Sequence, residues 1–183
     1  MSSFSVRSAL LVGALLLSVT LVGFQFLSTP TPPEDEGEAI YQTRCMSCHQ
    51  VNGEGIAGVF PPLVDTEWVV GDKGRLIRIV LNGMTGEMKV NDVTSSGAMP
   101  PWNAFLNDEQ VAAVLTYVRN AWDNGASAVT VAEVSSVRKA TENRKNPWTM
   151  EELMAEENTG VPGVPKFNFP GLGGAAPDTT SGQ

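Results

Sequence analysis

Hydrophobic residues form one unbroken block near the start of the 183-residue chain and become periodic only after it. Residues 9–27 carry no charge, and as a helix they would rise about 28 Å at ~1.5 Å per residue, close to the ~30 Å core of a bilayer. Arg7 precedes the block and acidic residues 34–36 follow it, so the positive-inside rule places the rest of the chain outside the cytoplasm. The pattern predicts a membrane anchor in residues 1–27. A cleaved signal peptide is the alternative, although no small-x-small cleavage pattern ends the block.

Polar and proline-rich positions divide the remaining chain into three parts. Residues 28–37 hold three prolines and three acids, and their stiffness favours an extended tether of ~30 Å at ~3.1 Å per residue. Residues 38–124 alternate short periodic segments with glycine-rich loops, as expected of one compact domain. Residues 125–183 form an extension beyond that domain.

Three segments of this central domain have the spacing of amphipathic helices. Residues 38–48 and residues 73–81 predict two short helices. The clearest helix begins at Asn107, whose side chain caps the first turn with Gln110 as the reciprocal partner. Strand signals are weak throughout, so the fold is predicted to be mainly α. Helices this few and short bury little core by themselves, which favours a fold wrapped around a large apolar group.

The extension carries two further helix-start signals and many apolar side chains. Thr130 with Glu133 predicts one capped helix, and Thr149 with Glu152 predicts another. Residues 145–174 mix aromatic and aliphatic residues with prolines and glycines, whereas disordered chains are typically poor in such residues. We expect this segment to be a docking arm for a larger complex. The alternative is that it folds back on its own domain.

Charge and composition narrow the chemistry. The net charge is −8, and a chain without a basic surface is not expected to bind nucleic acid. One histidine and two cysteines are present, and all three fall within five consecutive residues, as Cys45, Cys48 and His49. This clustering excludes a structural disulfide between distant segments and any mechanism that needs a second histidine. We expect no chemistry on a small-molecule substrate.

The Cys-x-x-Cys-His spacing at Cys45, Cys48 and His49 is the attachment signature of c-type haem. Two thiols three residues apart share one face of a helix, so both reach the same edge of a porphyrin and its vinyl groups. The histidine that follows presents a neutral imidazole to the iron. A zinc site would need about four ligands and the chain offers three, and a thioredoxin-type pair would need a βαβ surrounding. We therefore predict one covalently attached haem.

A sixth ligand has to come from another residue type, and methionine is the leading candidate because its thioether binds haem iron well. Met84, Met88 and Met99 lie within the central domain. Met99 precedes two prolines, which stiffen its loop and hold the sulfur at one position. Met84 follows a helix end, where ordinary core packing is its expected role. The predicted iron ligands are therefore His49 and Met99.

Residues 37–124 resemble a class I cytochrome c domain. The pieces that carry the resemblance are CMSCH at residues 45–49, NGEG at 52–55, FPPL at 60–63, LNGMTG at 81–86, MPPW at 99–102 and LTYVR at 115–119. The resemblance implies that the first and last helices of the domain cross, with Tyr41 and Tyr117 near the contact. It also implies that the Pro61 carbonyl accepts the imidazole N–H of His49.

Three more side chains acquire an expected role from the resemblance. Trp68, Trp102 and Arg78 are candidates to reach the haem carboxylates, with simple packing and surface charge as the alternative. Trp102 directly follows the Met99-Pro100-Pro101 run, so we include it among the residues expected to bind the cofactor.

The resemblance implies one-electron transfer without substrate chemistry, so the chain is expected not to be an enzyme. Residues 117–134 are similar to small monohaem cytochromes attached to bacterial respiratory and dehydrogenase complexes. The expected location is the bacterial inner membrane, crossed once, with the haem domain in the periplasm. Expected partners belong to a respiratory, photosynthetic or dehydrogenase complex, with an acceptor such as a terminal oxidase. The alternative is a haem-based sensor or peroxidase-like centre with a displaceable sixth ligand.

Overall fold

A computed structural model describes residues 34–159 of the protein. The predicted anchor and the last residues of the extension, 160–183, lie outside the described residues. Within residues 34–159, no helix combines the length and the apolar character needed to cross a membrane.

The chain enters the domain as one helical segment with three parts. Helix α1 spans Glu34–Ile40, a π-helical turn covers Tyr41–Cys45, and helix α2 spans Met46–His49. The helix therefore begins inside the predicted tether, and the expectation of extended chain through residue 37 is wrong from Glu34 onward. The physical reason is packing: a Cβ on Gly37 would lie 2.4 Å from the Ala113 carbonyl oxygen, so the glycine permits a close crossing of α1 on a later helix.

Two short helices form the next layer. Helix α3 spans Glu67–Val70 and helix α4 spans Lys73–Asn82, as the pattern of residues 73–81 predicts. The side chains of Thr66 and Asp72 cap their first turns by accepting backbone N–H bonds. Helix α4 is buried along nearly its whole length, which makes it the centre of the domain.

Helix α5 spans Asp108–Asn120 and is the long helix predicted to begin at Asn107. Both hydrogen bonds of the capping box between Asn107 and Gln110 are present. Helix α5 crosses α1, and the rings of Tyr41 and Tyr117 lie 5.6 Å apart at the crossing. A short 3₁₀ turn, Ala121–Asp123, ends the helix.

A small antiparallel hairpin lies between α4 and the next helix, in a region where strand signals are weak. Strand β1 spans Met88–Val90 and strand β2 spans Val93–Ser95, with Met88 opposite Ser95. Asn91 and Asp92 form the turn with positive φ angles of 47° and 63°, as in the type I′ turns favoured by two-residue hairpins. Strands of three residues are too short to show a convincing alternation, so the sequence pattern did not reveal them.

The first part of the extension packs against the core of the central domain, and the cytochrome boundary expected at residue 124 stays a prediction. Helix α6 spans Val131–Ala140, and its Val134 and Val137 are fully buried in the same core as α4 and α5. Helix α7 spans Met150–Thr159. The capping boxes predicted before both helices are confirmed by their hydrogen bonds.

The expectation of a partner-docking arm is wrong for the first part of residues 145–174. Trp148 is 5% exposed and Leu153 is fully buried, and both pack with Trp68, Ile79 and Met84 in a second apolar cluster of the same domain. These side chains bury apolar surface intramolecularly, which is the fold-back alternative. The rest of the segment, from residue 160, lies outside the described residues.

Candidate haem site

An apolar cavity of about 380 Å³ lies at the centre of the domain. Its wall includes the two cysteines and the histidine of the attachment motif, together with Met99 and Trp102. Side chains from α4 and α5 supply much of the remaining wall. The fold thus brings every predicted haem-binding residue except Arg78 to a single cavity.

The attachment motif begins at the end of the π-helical turn. Cys45 closes that turn and Cys48 lies in α2, one helical turn further on. Both thiols are free and half-buried at the cavity wall. Burial, with a smaller contribution from the neighbouring Cys48, raises the pKa of the Cys45 thiol to about 11. The two sulfurs are not joined in a disulfide, so both are available for thioether formation.

A buried tyrosine braces the residue that follows the motif. The Tyr41 hydroxyl donates a hydrogen bond to the Gln50 carbonyl at 2.6 Å. Gln50 has a positive φ of 65°, which ends α2 directly after His49. Sequence reasoning placed Tyr41 only at the helix crossing. The π-helical turn and this bond to a backbone oxygen have no residue-type signature that would have predicted them.

The imidazole of His49 is held by one backbone acceptor. Its Nδ1 lies 3.1 Å from the Pro61 carbonyl oxygen, the contact that the resemblance implies, and this leaves Nε2 as the nitrogen available to iron. Burial lowers the pKa of His49, and the bond to Pro61 opposes this only in part. The ring is therefore favoured in its neutral form, which is the form that binds a metal.

Short backbone bonds hold the loop that presents Pro61. The Gly55 amide donates to the His49 carbonyl at 3.0 Å, and the Leu63 amide donates to the Gly53 carbonyl at 2.7 Å. The loop therefore returns to the helix that it left. It also accepts bonds from later segments, since the Gly97 amide donates to the Val59 carbonyl at 2.9 Å and Asn124 Nδ2 donates to the Leu63 carbonyl at 3.0 Å.

The cavity wall also carries three methionines. Met84 and Met99 form an isolated antiparallel bridge in which each amide donates to the other's carbonyl, at 3.0 Å and 2.9 Å. Met84 is 5% exposed and Met99 is half-buried, and both line the cavity together with Met88. We call the Met84–Met99 pair the methionine bridge.

A glycine at the end of α4 allows the methionine bridge to form. Gly83 has a φ of +77°, and a Cβ there would lie 2.5 Å from the Met99 carbonyl oxygen. Only glycine adopts this backbone conformation at little cost and leaves room for the second segment to approach. The position of Met99 therefore depends on the residue at the end of a helix that is distant in sequence.

The three side chains expected at the haem carboxylates differ in position. Trp102 is half-buried at the cavity wall, with the Arg44 guanidinium 6.0 Å from its ring centroid. Trp68 also lines the cavity, but its indole N–H donates to the Lys89 carbonyl at 3.2 Å. Arg78 is buried beside Trp148, 6.0 Å from that ring centroid, and lies outside the cavity wall formed by the described residues. The expected reach of Arg78 to the haem carboxylates therefore stays a prediction.

Ser95 is a cavity residue that sequence reasoning missed. It is 2% exposed, lines the cavity, and its hydroxyl has no hydrogen-bond partner within the described part of the chain. A buried hydroxyl without a partner costs free energy, so a group inside the cavity that accepts a hydrogen bond would stabilise it. Apolar walls, two free thiols, a neutral imidazole and an unsatisfied donor together fit a haem with its carboxylates.

Comparison with known proteins agrees with this geometry. The cytochrome c family model matches residues 34–122. The chain is 36% identical over 141 residues to a cytochrome c-552 of Thermus thermophilus, a match that covers 75% of this chain and 93% of the relative. It is also 36% identical over 109 residues to the gluconate 2-dehydrogenase cytochrome c subunit of Pantoea cypripedii, covering 56% of this chain and 24% of that subunit. A cbb3-type cytochrome c oxidase subunit CcoP of Azospirillum brasilense is 30% identical over 99 residues, with 51% and 30% covered.

The site and these matches define an electron-transfer haem protein rather than an enzyme with its own substrate. The chain belongs to the cytochrome c family, as a class I c-type cytochrome. It carries haem c, bound covalently through the CxxCH motif that holds Cys45 and Cys48. When bound, the haem supplies an iron centre that accepts and releases one electron. The apolar cavity wall would limit the access of water to that centre, and the Pro61 carbonyl would orient the His49 imidazole.

Proposed function

We propose that His49 and Met99 are the two axial ligands of the haem and that the protein is a tethered one-electron carrier. The observation that carries this proposal is the shared cavity, in which the imidazole and the Met99 thioether lie with both attachment thiols. Histidine and methionine ligation raises the potential of a haem iron, and two protein ligands leave no open position for a substrate. The residues around the iron then have a positioning role only.

Among the three cavity methionines, the local structure favours Met99. Its own backbone is fixed on one side by the methionine bridge and on the other by Pro100 and Pro101, which restrict the chain. Met84 follows α4 directly and is almost fully buried within the second apolar cluster. Its side chain is thereby committed to packing, whereas Met99 remains half-buried at the cavity.

The proposed location is the periplasmic face of the bacterial inner membrane, with residues 9–27 as a single-pass anchor. The support is the uncharged length of that segment and the distribution of charge on its two sides. The haem domain would begin within a few residues of the segment's end, because α1 starts at Glu34. Such a short connection keeps the domain close to membrane-bound partners.

The proposed partners are a respiratory or dehydrogenase complex as electron donor and an acceptor such as a terminal oxidase. Relatives named as subunits of a gluconate dehydrogenase and of a cbb3-type oxidase support this choice. The chain spans about a quarter of the first and about a third of the second, so the likeness concerns one cytochrome domain of each. A photosynthetic complex fits the same chemistry.

The visible spectrum of the reduced protein with and without carbon monoxide tests the ligand set. We expect no change in the wild-type spectrum, because both axial positions are filled. A shifted spectrum would instead support the sensor or peroxidase-like alternative.

A membrane wash tests the proposed anchor. Membranes washed at high salt and then at alkaline pH should retain the protein until detergent is added, and release by either wash would contradict an anchor.

A further inference from the structure

The methionine bridge is the middle of a larger backbone assembly. The Trp148 amide donates to the Gly83 carbonyl at 3.0 Å, and the Thr85 amide donates to the Trp148 carbonyl at 2.8 Å. These bonds enclose Met84, whose own amide and carbonyl pair with Met99. Trp148, Met84 and Met99 are therefore three neighbouring positions of a minimal three-stranded arrangement, with a segment of the extension on its outer side.

Several contacts fix Trp148 in this position. Its side chain is 5% exposed, the Arg144 guanidinium lies 3.4 Å from its ring centroid, and its indole N–H donates to Asn82 Oδ1 at 3.4 Å. Arg144 in turn donates to the Pro147 carbonyl and to the Glu152 carboxylate, at 3.0 Å and 2.6 Å. A cation stacked on a desolvated indole is a favourable contact. The side chain thus anchors the backbone that pairs with residues 83–85.

The Trp148 segment is the third strand, and its pairing should stabilise the methionine bridge. A pair of strands joined at one position is marginally stable in water, and a third strand or an apolar cover is needed for an ordered arrangement. Trp148 supplies both, since its backbone pairs with Gly83 and Thr85 while its ring covers the second apolar cluster. Trp148 does not line the haem cavity formed by the described residues. It reaches the cavity through backbone bonds to the segment that holds Met84 and Met99, and through packing with Trp68 and Ile79, which line the cavity.

We propose that Trp148 is a positioning residue for the axial methionine, an inference that rests on the proposed role of Met99. The extension is then part of the redox site, because it fixes the backbone on which the ligand is carried. Removing the indole loosens the outer strand, which lets the methionine bridge open more often. The Met99 sulfur then leaves the iron more readily, and an added ligand competes more effectively for the vacated position.

Imidazole binding to the oxidised haem-loaded protein measures this opening. Trp148→Ala should bind imidazole on the order of tenfold more tightly than the wild type. This is the factor expected if the variant loses about 1.4 kcal/mol of the free energy that keeps the Met99 sulfur on the iron. Its reduction potential should fall, since ligation by the thioether raises it. Trp148→Phe, which keeps an aromatic ring in the cluster, should restore most of the wild-type behaviour.

Leu153→Ala is the matched control. Leu153 is fully buried in the same apolar cluster and lies on α7, but it makes no backbone contact with the methionine bridge. This variant should lower the free energy of unfolding and leave the imidazole affinity near the wild-type value. Equal affinities in Trp148→Ala and Leu153→Ala would show that general stability, not ligand positioning, is at work, and would overturn the proposal.

A double variant separates this inference from the ligand assignment. In a Met99→Leu background the sulfur is already absent, so Trp148→Ala should leave the imidazole affinity unchanged. The same affinity increase in both backgrounds would overturn the positioning role. If Met99→Leu itself keeps the wild-type spectrum, the ligand assignment fails instead.

A milder pair of variants applies if Trp148→Ala loses its haem. Arg144→Ala removes the guanidinium stacked on the indole, whereas Glu152→Gln removes only the charge that pairs with Arg144 and retains a side chain able to cap α7. Arg144→Ala should tighten imidazole binding by a smaller factor than tenfold, and Glu152→Gln should not change it. An unchanged affinity in Arg144→Ala would contradict the proposal.

Discussion

The histidine side of the cavity is formed by consecutive residues 45–63, whereas the methionine side joins residues 83–85, 99 and 148. On the histidine side, the attachment motif, the Pro61 acceptor and the bonds that return the loop to the helix lie within one short stretch of chain, and bonds from Gly97 and Asn124 support the loop from outside. On the methionine side, three distant segments meet through backbone hydrogen bonds. We therefore expect the surroundings of His49 to change little when distant parts of the domain unfold locally. The position of Met99 should instead depend on substitutions far from the haem.

The largest effect should come from breaking the covalent attachment on the histidine side. Cys48→Ser removes one thiol, so less haem should stay on the polypeptide after extraction with acidified acetone. Ser47→Ala, at a neighbouring exposed position of the same helix, is the control and should retain the colour. Colour that extracts freely from the wild-type protein would show that the haem is not covalently held.

The next largest effect should come from the ligand of the methionine side. Met99→Leu should allow the reduced protein to bind carbon monoxide and should lower the reduction potential. Because axial ligands set haem potentials over about 0.8 V, a fall on the order of 0.1 V is expected. Met84→Leu nearly conserves side-chain volume and should preserve the spectrum. The reverse result for the two variants would assign the ligand to Met84.

Gly83→Ala tests whether the methionine side depends on close backbone approach. A positive φ alone costs a residue other than glycine roughly 1–3 kcal/mol, and here the added Cβ would also meet the Met99 carbonyl. Gly86→Ala is a matched control, since its φ is +85° but nothing lies within 4 Å of the added carbon. Thermal unfolding should show the larger loss for Gly83→Ala, with weakened methionine ligation in that variant alone. Equal losses would mean that backbone strain, not the approach of Met99, governs the position.

A smaller effect is expected from removing the Tyr41 hydroxyl, which bonds to the residue that follows the attachment motif. Tyr41→Phe removes the hydroxyl that donates to the Gln50 carbonyl and should lower the free energy of unfolding by about 1 kcal/mol. The haem spectrum should not change, because His49 keeps its bond to Pro61. Tyr117→Phe, which keeps the ring contact at the helix crossing, is the control. A shifted spectrum in Tyr41→Phe would show that the histidine side is less self-contained than proposed.

The smallest effect on the haem should come from an ion pair that lies away from it. Lys73 Nζ lies 3.1 Å from Glu133 Oε1 and links α4 to α6. Burial would raise the pKa of Glu133, but hydrogen bonds from Thr130 and Lys73 outweigh it and hold that pKa below its usual range. The folded-state pKa lies below the unfolded one, so the stabilisation is present above about pH 4.3 and is lost as the pH falls through the lowered value.

Glu133→Gln, which retains a residue able to complete the capping box, should therefore destabilise the protein at neutral pH, because it leaves the largely buried Lys73 ammonium without its carboxylate. The difference from the wild type should shrink in acid, as followed by chemical denaturation at several pH values. A difference that grows in acid would contradict the assigned direction of the pKa shift. At each pH the imidazole affinity of Glu133→Gln should equal that of the wild type, in contrast to the affinity of Trp148→Ala.

The same contrast explains which parts could be predicted from the sequence. Cys45, Cys48 and His49 form a contiguous motif, and three capping boxes each place their partners three residues apart, so local residue types sufficed for both. The hairpin strands are too short for a visible alternation, and the hydroxyl of Ser95 resembles that of any loop serine. The pairing of Trp148 with Gly83 and Thr85 uses backbone groups, which every residue except proline possesses, so no residue type indicates it. For the described part of residues 145–174, the docking arm was a wrong prediction because apolar side chains do not specify which surface they cover.

The pairing of Trp148 also has a consequence for the order in which the protein is made. Synthesis proceeds from the N-terminus, so a nascent chain contains both cysteines and the histidine roughly a hundred residues before Trp148 is added. During that interval the chain lacks Trp148, whose backbone pairs with Gly83 and Thr85 beside the methionine bridge. A ribosome paused between these points holds a polypeptide with every group needed for haem attachment but without the tryptophan that fixes the sixth ligand.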